Sequence, residues 1–400
     1  ARDRAAEGGE EEMRLAFYGG SFNPPHPAHV RACRLACEAL KPDKLLVIPA
    51  ATPPHKPLPE GSPDANERMA LTRIAFRDLP EAEVSDMELH RAGRSYTSDT
   101  VAELRREYPD AELVMIMGTD MLLSFETWHE WRYILSEASL AVLPRDEGDL
   151  EPIRRMAERL RISCGAVVYV LDVAPLPMSS SGMRELLVNR RGAGELDGEV
   201  YERIIRTRDY GAKPQLDWLR ERAYAYLKPG RIPHVAGCEH EAVKLAERWG
   251  ADPGDAAEAG ILHDITKKLT MPEQLKLAEK YGIVFDALER ENLKLTHAIT
   301  GAALSREVFG VTDEVYGAIR WHTTGKADMT LLEKLIYLAD YIEPTRDFEG
   351  VEPLRALAYE DIDAAMALGL KMSLEELKAG GIVPHSATVE ALRWYGKDRT

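Results

Sequence analysis

The first half of the chain alternates short apolar runs with longer stretches whose apolar residues recur at helical spacing. Short apolar runs predict buried strands, and the longer stretches predict amphipathic helices. The predicted strands are residues 13–17, 45–49, 113–117, 140–143 and 167–171. The predicted helices are residues 30–40, 66–76, 97–108 and 150–160. This alternation is typical of an α/β fold with a parallel sheet and crossover helices.

The pattern changes at residues 210–214, where a glycine and a proline lie close together. Such a pair marks a boundary. Beyond it, helical periodicity continues from residues 215–226 onward without strand-like runs, which predicts an all-α domain. The predicted organisation is a disordered lead-in at residues 1–12, a first domain at 13–208, a linker at 209–215 and a second domain at 216–400.

Composition narrows the class of protein. The chain has 400 residues, 45% of them hydrophobic and 30% charged, as is ordinary for globular domains. Its net charge of −16 argues against general affinity for nucleic acid or for anionic membranes. The four cysteines lack paired spacing, which favours a reducing compartment. Without a signal peptide or a run long enough to span a membrane, a cytoplasmic protein is expected. A homo-oligomer is left open.

The stretch from residue 18 to residue 30 contains the first candidate site. Gly19 and Gly20 follow a predicted strand and let the backbone approach a ligand closely. The turn leads into a helix, whose free N–H groups and positive end favour a phosphate. His26 and His29 are three residues apart, so both imidazoles face one ligand if the helix begins near Pro27.

Other polar segments follow the later strands, and ligands of open parallel sheets collect at the carboxyl ends of strands. These segments are residues 53–56, 118–120, 144–145 and 178–184. In the last of them, Ser179, Ser180 and Ser181 precede a helical run and could be helix caps alone. With Arg184 in the first turn, they also describe an anion site.

Together these segments resemble the motifs of one family. Residues 26–29 resemble the (H/T)xGH signature of the nucleotidyltransferase superfamily, with Ala28 in the glycine position. Residues 178–184 resemble an ISSTxIR element, with Met178, Ser181 and Met183 as the departures. With the segments at 95–100, 117–120 and 125–131, residues 13–208 look like bacterial nicotinate-nucleotide adenylyltransferase.

That resemblance implies a Rossmann-like domain that transfers AMP from ATP to nicotinate mononucleotide, giving the deamido dinucleotide and pyrophosphate. His26, His29 and Arg184 would be catalytic, with Mg²⁺ carried by the ATP. The implied ATP-binding residues are Gly19, Gly20, Ser21, Phe22, His26, His29, Gly118, Asp120, Ser180, Ser181 and Arg184. The implied substrate-binding residues are Lys56, Thr97, Trp128 and Arg145. For Trp128 a core position is the alternative, and for Lys56 simple solvation.

The second half carries scattered histidines and aspartates in predicted helices. They are His234, His263, Asp264, His297, His322 and Asp340. Three lie in apolar helical context, where an imidazole or carboxylate is costly unless it is paired or bound to metal. Imidazole and carboxylate ligands suit iron, manganese, zinc or similar ions.

The segments at 263–267, 321–325 and 337–344 resemble the HD-domain phosphohydrolases, and more narrowly the bacterial enzymes that split diadenosine tetraphosphate symmetrically into two ADP. The resemblance implies one metal at His234, His263, Asp264 and Asp340. It implies a second at His297 and His322, bridged by a catalytic Asp264. Iron is expected, with manganese or another divalent ion as alternatives. Lys267 and Arg346 would bind phosphate, with a solvated helix face as the alternative for Lys267.

Three alternatives stay open at this point. The HD domain could hydrolyse another nucleotide, or it could be a non-catalytic metal-binding sensor. The first domain could adenylylate another phosphate, such as phosphopantetheine. Four further histidines fit neither constellation and are interpreted as surface or packing residues: His90, His129, His240 and His385. His55 is left unassigned.

Overall fold

A computed structural model of the chain describes residues 13–53, 57–91, 93–175 and 177–396. Contacts between residues divide it into two compact units. The first unit extends to Ile204 and includes residues 208–213. The second contains residues 205–207 and continues from Pro214. The predicted lead-in at 1–12, His55 and Lys56 lie outside the described residues.

The first unit is built on a parallel sheet of six strands in its described part, in the order β3-β2-β1-β4-β5-β6. The strands are β1 (Arg14–Gly20), β2 (Lys44–Pro49), β3 (Ala82–Val84), β4 (Glu112–Gly118), β5 (Ala138–Leu143) and β6 (Val168–Val170). The strand order reverses between β1 and β4, which creates a crevice at their carboxyl ends. The predicted Rossmann-like α/β fold is therefore confirmed.

Both faces of the sheet are covered, so its strands are apolar on both sides. On β4, Leu113, Met115 and Met117 join one core, whereas Val114 and Ile116 join the other. This alternation follows from the two-residue period of a strand. It explains why the strand signal in the sequence was a continuous apolar run.

The helices of the first unit largely follow the predicted spacing. They are α1 (Pro27–Leu40), α2 (Ala65–Phe76), α3 (Thr97–Glu107), α4 (Thr119–Leu123), α5 (Trp131–Glu137), α6 (Leu150–Cys164), α7 (Ser180–Val188) and α8 (Gly198–Thr207), whose last three residues belong to the second unit. The predictions for α1, α2, α3 and α6 are confirmed within a few residues. The short strand β3 and the helices α4, α5 and α8 were not predicted. For β3, α4 and α5 the reason is length, because three to seven residues carry too little periodicity.

The second unit is helical throughout its described part, as predicted. Its helices are α9 (Leu216–Tyr224), α10 (Ile232–Trp249), α11 (Pro253–Leu262), α12 (Met271–Lys280), α13 (Ala287–Glu291), α14 (Leu293–Phe309), α15 (Asp313–Trp321), α16 (Leu331–Ile342), α17 (Val351–Glu360), α18 (Ile362–Ala379) and α19 (Ser386–Tyr395). Among the described helices, none combines the length and apolarity that crossing a membrane requires.

The centre of the second unit depends on a close helix crossing. Residues Ala256 to Leu262 of α11 are all buried, and α11 packs against α10. At Gly260, a Cβ atom would lie 2.7 Å from the Cα of Glu239 on α10. Only glycine permits this approach of the two backbones. The crossing brings the first turn of α10 beside the last turn of α11, where His234 and His263 lie.

Candidate active sites

A cavity of about 470 Å³ opens at the carboxyl ends of β1 and β4 in the first unit. It lies at the reversal of strand order, where such sheets bind ligands. Its lining includes most of the predicted ATP-binding residues: Gly19, Gly20, Ser21, His26, His29, Gly118, Ser180, Ser181 and Arg184. Arg145, predicted to bind substrate, also lines it.

The two histidines of this cavity are locked together by the start of α1. His26 is the residue before the helix, and Pro27 is its first residue, as the sequence predicted. The backbone N–H of His26 donates to Nδ1 of His29 at 3.1 Å. The two rings stack with their centroids 3.7 Å apart. Both imidazoles are thus held on one wall of the cavity.

The hydrogen bond to His29 decides which nitrogen carries its proton. Because Nδ1 accepts, the neutral ring must be protonated at Nε2. Burial lowers the pKa of His26 to about 4, and the nearby Arg145 adds to the effect. Burial, His26 and Arg145 also hold the pKa of His29 well below its usual value. His29 is therefore a neutral hydrogen-bond donor near pH 7.

The start of α7 lines the same cavity. Ser179 caps α7 by accepting from the N–H of Gly182 at 3.1 Å. The hydroxyl of Ser180 donates to the carbonyl of Pro24 at 3.0 Å, and Arg184 Nη1 donates to the carbonyl of Asn23 at 2.6 Å. These bonds tie α7 to the loop that precedes His26. The capping role and the anion-site role proposed for the serines are compatible in this geometry.

Arg145 is held over the cavity by an ion pair. Its Nη1 lies 2.6 Å from Oδ2 of Asp120, which was predicted to bind ATP. A Cβ at Gly118 would lie 3.0 Å from Cδ of Arg145, so a larger residue there would displace the arginine. Asp120 itself does not appear among the described residues that line the cavity.

Several predicted residues lie elsewhere. The side chain of Phe22 is 1% exposed and packs under His29 and against Phe76, so it supports the histidine rather than facing the cavity. Thr97, the first residue of α3, and Trp128 are not among the described residues of the lining. Trp128 packs on the sheet core and against Phe125, as in its alternative interpretation. Lys56 falls outside the described residues.

Arg68 of α2 shapes this site and was missed by sequence reasoning. It is fully buried, and its guanidinium donates to the carbonyls of Ser21, Ala50 and Ala51 at 2.7–2.8 Å. It thereby fastens the loops that follow β1 and β2. A charged residue on an amphipathic helix normally indicates a solvated face, so no local signal could have revealed this role.

In the second unit, all six predicted metal ligands converge. His234, His263 and Asp264 can point ligand atoms at one position, and Asp264, His297 and His322 at another. The Nε2 of His234 lies 3.3 Å from Nε2 of His263 and 3.1 Å from Oδ1 of Asp340. The Nε2 of His297 lies 3.1 Å from Nε2 of His322. All but Asp340 are nearly inaccessible to solvent.

The hydrogen bonds behind the imidazoles fix their tautomers. Nδ1 of His263 faces the carbonyl of Gly260 at 2.7 Å, and Nδ1 of His322 faces that of Ile319 at 2.7 Å. Nδ1 of His297 faces the carbonyl of Leu293 at 3.2 Å. A carbonyl only accepts, so each Nδ1 is protonated and each Nε2 presents a lone pair to its neighbours. Lone pairs that face each other at about 3 Å repel, and a cation bound by both nitrogens would relieve this repulsion.

Asp264 connects the two halves of the cluster. Its Oδ1 lies 3.2 Å from Nε2 of His297, whereas its Oδ2 lies 3.6 Å from Nε2 of His263. No hydrogen bond from the described residues reaches the buried Oδ1. Burial alone would raise the pKa of Asp264, but His263, His297 and Lys267 together hold it well below the usual value. This donor set of imidazoles and ionised carboxylates fits a pair of divalent metal ions.

Glu343 supports the cluster and was not singled out from the sequence. Its fully buried Oε1 lies 2.9 Å from Nδ1 of His234, so it plays the role that backbone carbonyls play for the other imidazoles. A Cβ at Gly237 would lie 2.5 Å from Oε2 of Glu343, so the glycine makes room for this carboxylate. Such outer carboxylates orient metal-binding histidines.

Three basic side chains surround the ligand atoms. Lys267 Nζ lies 3.1 Å from Nε2 of His297, and Arg346 Nη2 lies 2.7 Å from Oδ1 of Asp340. Both were predicted to bind phosphate. Arg231, which precedes α10 and was not predicted, donates from Nε to Oδ2 of Asp264 at 2.5 Å. Burial lowers the pKa of Lys267, against the opposing effect of Asp264.

A third cluster, of Asp286, Glu289 and His385, has ligand-like spacing but a different chemistry. Nδ1 of His385 accepts from the N–H of Ala387 at 3.2 Å and caps α19. Its neutral ring is therefore protonated at Nε2, which lies 3.3 Å from Oδ2 of Asp286. This tautomer joins α19 to the acidic residues and offers no lone pair there, so His385 has the packing role that the sequence predicted.

Comparison with known proteins follows the same division of the chain. The family model described as cytidylyltransferase-like matches residues 17–186, and the HD domain model matches residues 231–345. A probable nicotinate-nucleotide adenylyltransferase of Geobacter metallireducens is 37% identical over 188 residues, which are 44% of this chain and 87% of the relative. The chain belongs to the nicotinate-nucleotide adenylyltransferase family. Its second unit adds an HD domain with a cluster suited to divalent metal ions.

A relative with both parts comes from Mycoplasma pneumoniae. It is named a probable nicotinate-nucleotide adenylyltransferase/Ap4A hydrolase and is 26% identical over 362 residues, which are 89% of this chain and 97% of the relative. A solved structure from Clostridium acetobutylicum is described as a predicted HD superfamily hydrolase involved in NAD metabolism. It is 33% identical and covers 46% of this chain and 97% of its own, with a TM-score of 0.44.

Proposed function

We propose that the first unit transfers the adenylyl group of ATP to nicotinate mononucleotide. The phosphate oxygen of the mononucleotide attacks the α-phosphorus of ATP, the bond from that phosphorus to the β-bridging oxygen breaks, and pyrophosphate leaves. The substrate phosphate is already a nucleophile, so the protein needs only to position the reactants and stabilise charge. The observation that carries this proposal is that the fixed histidine pair and the serine–arginine cluster line one cavity.

Each group has a defined task in this reaction. Nε2–H of His29 donates to an oxygen of the α-phosphate, where negative charge develops in the transition state. Arg184 and the serines of α7 bind the β- and γ-phosphates that leave, and Arg145 adds positive charge at the rim. Bound Mg²⁺, brought by ATP, would neutralise the phosphate chain. His26 remains neutral and holds His29 in its tautomer through the backbone N–H.

Pyrophosphate release tests this proposal. The intact chain is incubated with ATP and Mg²⁺ together with nicotinate mononucleotide, nicotinamide mononucleotide or phosphopantetheine in parallel. We expect release with nicotinate mononucleotide and a dinucleotide product of matching amount. Faster release with phosphopantetheine would contradict the assignment and favour the alternative acceptor.

For the second unit, we propose metal-dependent hydrolysis of diadenosine tetraphosphate into two molecules of ADP. The observation that carries this is the convergence of four imidazole lone pairs and two carboxylates on two adjacent positions that share Asp264. Metal ions bound there would polarise phosphate oxygens and lower the pKa of a bound water. Lys267 and Arg346 would hold the phosphate chain. The name of the Mycoplasma pneumoniae relative supports this substrate.

Metal analysis and a product assay test this second proposal. We propose two metal ions per chain, with iron first and manganese as the alternative. The metal-loaded chain should convert diadenosine tetraphosphate to ADP as sole product, and a panel of mononucleotides and cyclic dinucleotides should react more slowly. AMP and ATP as products would contradict symmetrical cleavage. A purified chain that takes up no metal would point to a non-catalytic module.

A further inference from the structure

The three basic side chains around the HD cluster do more than border it, because each contacts an atom that belongs to the ligand set. Lys267 contacts Nε2 of His297, and Arg346 contacts Oδ1 of Asp340. Arg231 makes the tightest contact, since its Nε and Nη2 both lie 2.5 Å from Oδ2 of Asp264. In this arrangement the side-chain cations neutralise the carboxylates of the cluster.

The oxygen that Arg231 holds has another task. Oδ2 of Asp264 lies 3.6 Å from Nε2 of His263 and 3.9 Å from Nε2 of His234, so it is the oxygen that completes the first metal position. A carboxylate oxygen that accepts two charge-assisted hydrogen bonds has little lone-pair density left for a metal. At least one of the two N–H donors must therefore leave Oδ2 when that oxygen binds a divalent ion, and charge repulsion favours displacement of the whole guanidinium.

The location of Arg231 indicates where the guanidinium goes. The residue lies immediately before α10, three positions ahead of His234, and its side chain is 30% exposed while Asp264 is 1% exposed. The guanidinium thus approaches the buried carboxylate from the accessible side of the cluster. A planar fork of N–H donors on that side suits two oxygens of one phosphate group.

We propose that Arg231 is a phosphate-binding residue of the HD site, whose guanidinium contacts Oδ2 of Asp264 and turns to the phosphate chain of the substrate when a metal ion binds that oxygen. The inference rests on the proposed hydrolysis of a dinucleoside polyphosphate and adds a third cation to Lys267 and Arg346. Its ligand is a phosphate group already bound near the metal ions. No bond is made or broken by the arginine itself.

A purely structural role for Arg231 would predict a different effect on metal binding when the arginine is removed. If the arginine served only to hold Asp264 in place for the metal, removing it would weaken metal binding. If the arginine leaves Asp264 when metal binds, it competes with the metal for Oδ2. Removing it would then leave metal binding unchanged or make it tighter. Metal affinity and substrate affinity therefore separate the two roles.

The test compares the intact chain with Arg231→Gln and Arg231→Lys, and uses Arg393→Gln as a control at an exposed arginine. Mn²⁺ affinity is measured by calorimetry, and kcat and KM are measured with diadenosine tetraphosphate. We expect Arg231→Gln to bind Mn²⁺ as tightly as the unaltered chain or more tightly. Its KM should rise about 10-fold or more, since a bidentate charged hydrogen bond is lost, with little change in kcat. The KM of Arg231→Lys should lie between those of the unaltered chain and Arg231→Gln, because lysine keeps the charge but lacks the forked pair of N–H donors.

Weaker Mn²⁺ binding in Arg231→Gln, or an unchanged KM, would overturn the proposal. A second measurement covers the case in which the unaltered chain hydrolyses no dinucleoside polyphosphate, which would sink the proposed function alone. Orthophosphate is added to the Mn²⁺-loaded proteins, and its ³¹P relaxation is recorded. The first unit contributes equally to every protein, so the difference between them reports the HD site. A smaller relaxation effect in Arg231→Gln supports the inference, and equal effects refute it. Circular dichroism spectra of all variants establish that they are folded.

Discussion

The two sites use the same side chain with opposite hydrogen-bonding polarity. In the first unit, Nδ1 of His29 accepts a backbone N–H, so the ring turns a donor toward the cavity. In the second unit, Nδ1 of His263 and Nδ1 of His322 each face a backbone carbonyl, so each ring directs the lone pair of its Nε2 into the cluster. A donor suits a phosphate oxygen, and a lone pair suits a metal ion. One backbone contact at Nδ1 therefore separates the two chemistries.

The donor role of His29 gives the first prediction. Replacing His29 with Asn should lower kcat of adenylyl transfer by about 100-fold or more, because one preorganised donor to developing charge is lost. The measurement is initial-rate pyrophosphate release at saturating substrates. His90→Asn serves as the control, since the side chain of His90 is exposed and lies against the carboxylate of Asp86. Equal loss in both variants would mean that the effect does not come from the cavity.

The burial of His26 gives a prediction about pH. Its pKa is about 4 in the folded chain, against about 6.5 for an unperturbed histidine. Between these values the unfolded chain binds a proton that the folded chain does not, so stability falls as the pH drops from about 6.5 to about 4. Above about pH 6.5 both states are neutral and this contribution is constant.

The difference in pKa corresponds to about 3 kcal/mol of unfolding free energy over that interval. Urea unfolding of the intact chain and of His26→Asn across this pH range measures it. The unaltered chain should lose more stability on acidification than the variant. Parallel pH profiles for the two proteins would contradict the assigned burial effect.

At the scale of elements, each site depends on a residue with unusual backbone properties, a proline in the first unit and a glycine in the second. In the first unit, Pro27 begins α1 directly after His26, which places the histidine at the helix entrance. In the second unit, Gly260 allows α11 to approach the backbone of Glu239 on α10. The helix crossing, and with it the distance between His234 and His263, depends on this contact.

Substitution of Gly260 by Ala should therefore disturb the metal cluster at a distance. The added Cβ would lie 2.7 Å from the Cα of Glu239, so the two helices must separate. We expect a loss of stability of about 1–3 kcal/mol, typical of overpacking, together with weaker metal binding. Thermal unfolding and Mn²⁺ calorimetry provide the readouts. Gly230→Ala is the matched control, because among the described residues no atom other than those of its chain neighbours lies within 4 Å of its added Cβ.

At the scale of the whole molecule, the chain holds two units, each with its own core and its own site. The first unit surrounds a parallel sheet with apolar side chains on both faces. The second unit buries polar ligands at the centre of a helical array. Because the two sites use different residues, we expect each activity to be removable without the other.

Metal removal tests this independence. The converging lone pairs and carboxylates of the HD cluster repel each other when no ion separates them. Exhaustive chelation should therefore abolish hydrolysis and lower the unfolding temperature of the second unit. Adenylyl transfer should return fully when Mg²⁺ and ATP are added back. Asp264→Asn should reproduce the effect of chelation, and loss of adenylyl transfer in that variant would contradict separate sites.

Much of the fold and part of each candidate site could be predicted from the sequence, at positions where the chain carries a strong local signal. The strand β4 was visible because five consecutive apolar residues face two cores. The histidines and aspartates of the second unit were singled out because charged or imidazole groups in apolar helices need a partner, and the resemblance to HD-domain phosphohydrolases supplied their predicted roles as metal ligands. Arg68, Glu343 and Arg231 were missed, because a charged residue near a helix surface has the same sequence signature whether it is solvated or buried.

The sequence by itself determined the longer elements of the first unit, the change from α/β to helical structure and the residue types that reach each site, because periodicity and spacing are local properties. Only the tertiary structure decided which nitrogen of each histidine is protonated, which carbonyls Arg68 fastens and which oxygen of Asp264 faces Arg231. These are contacts between segments far apart in the chain. Their geometry depends on how helices and strands pack, and no neighbouring residue encodes it.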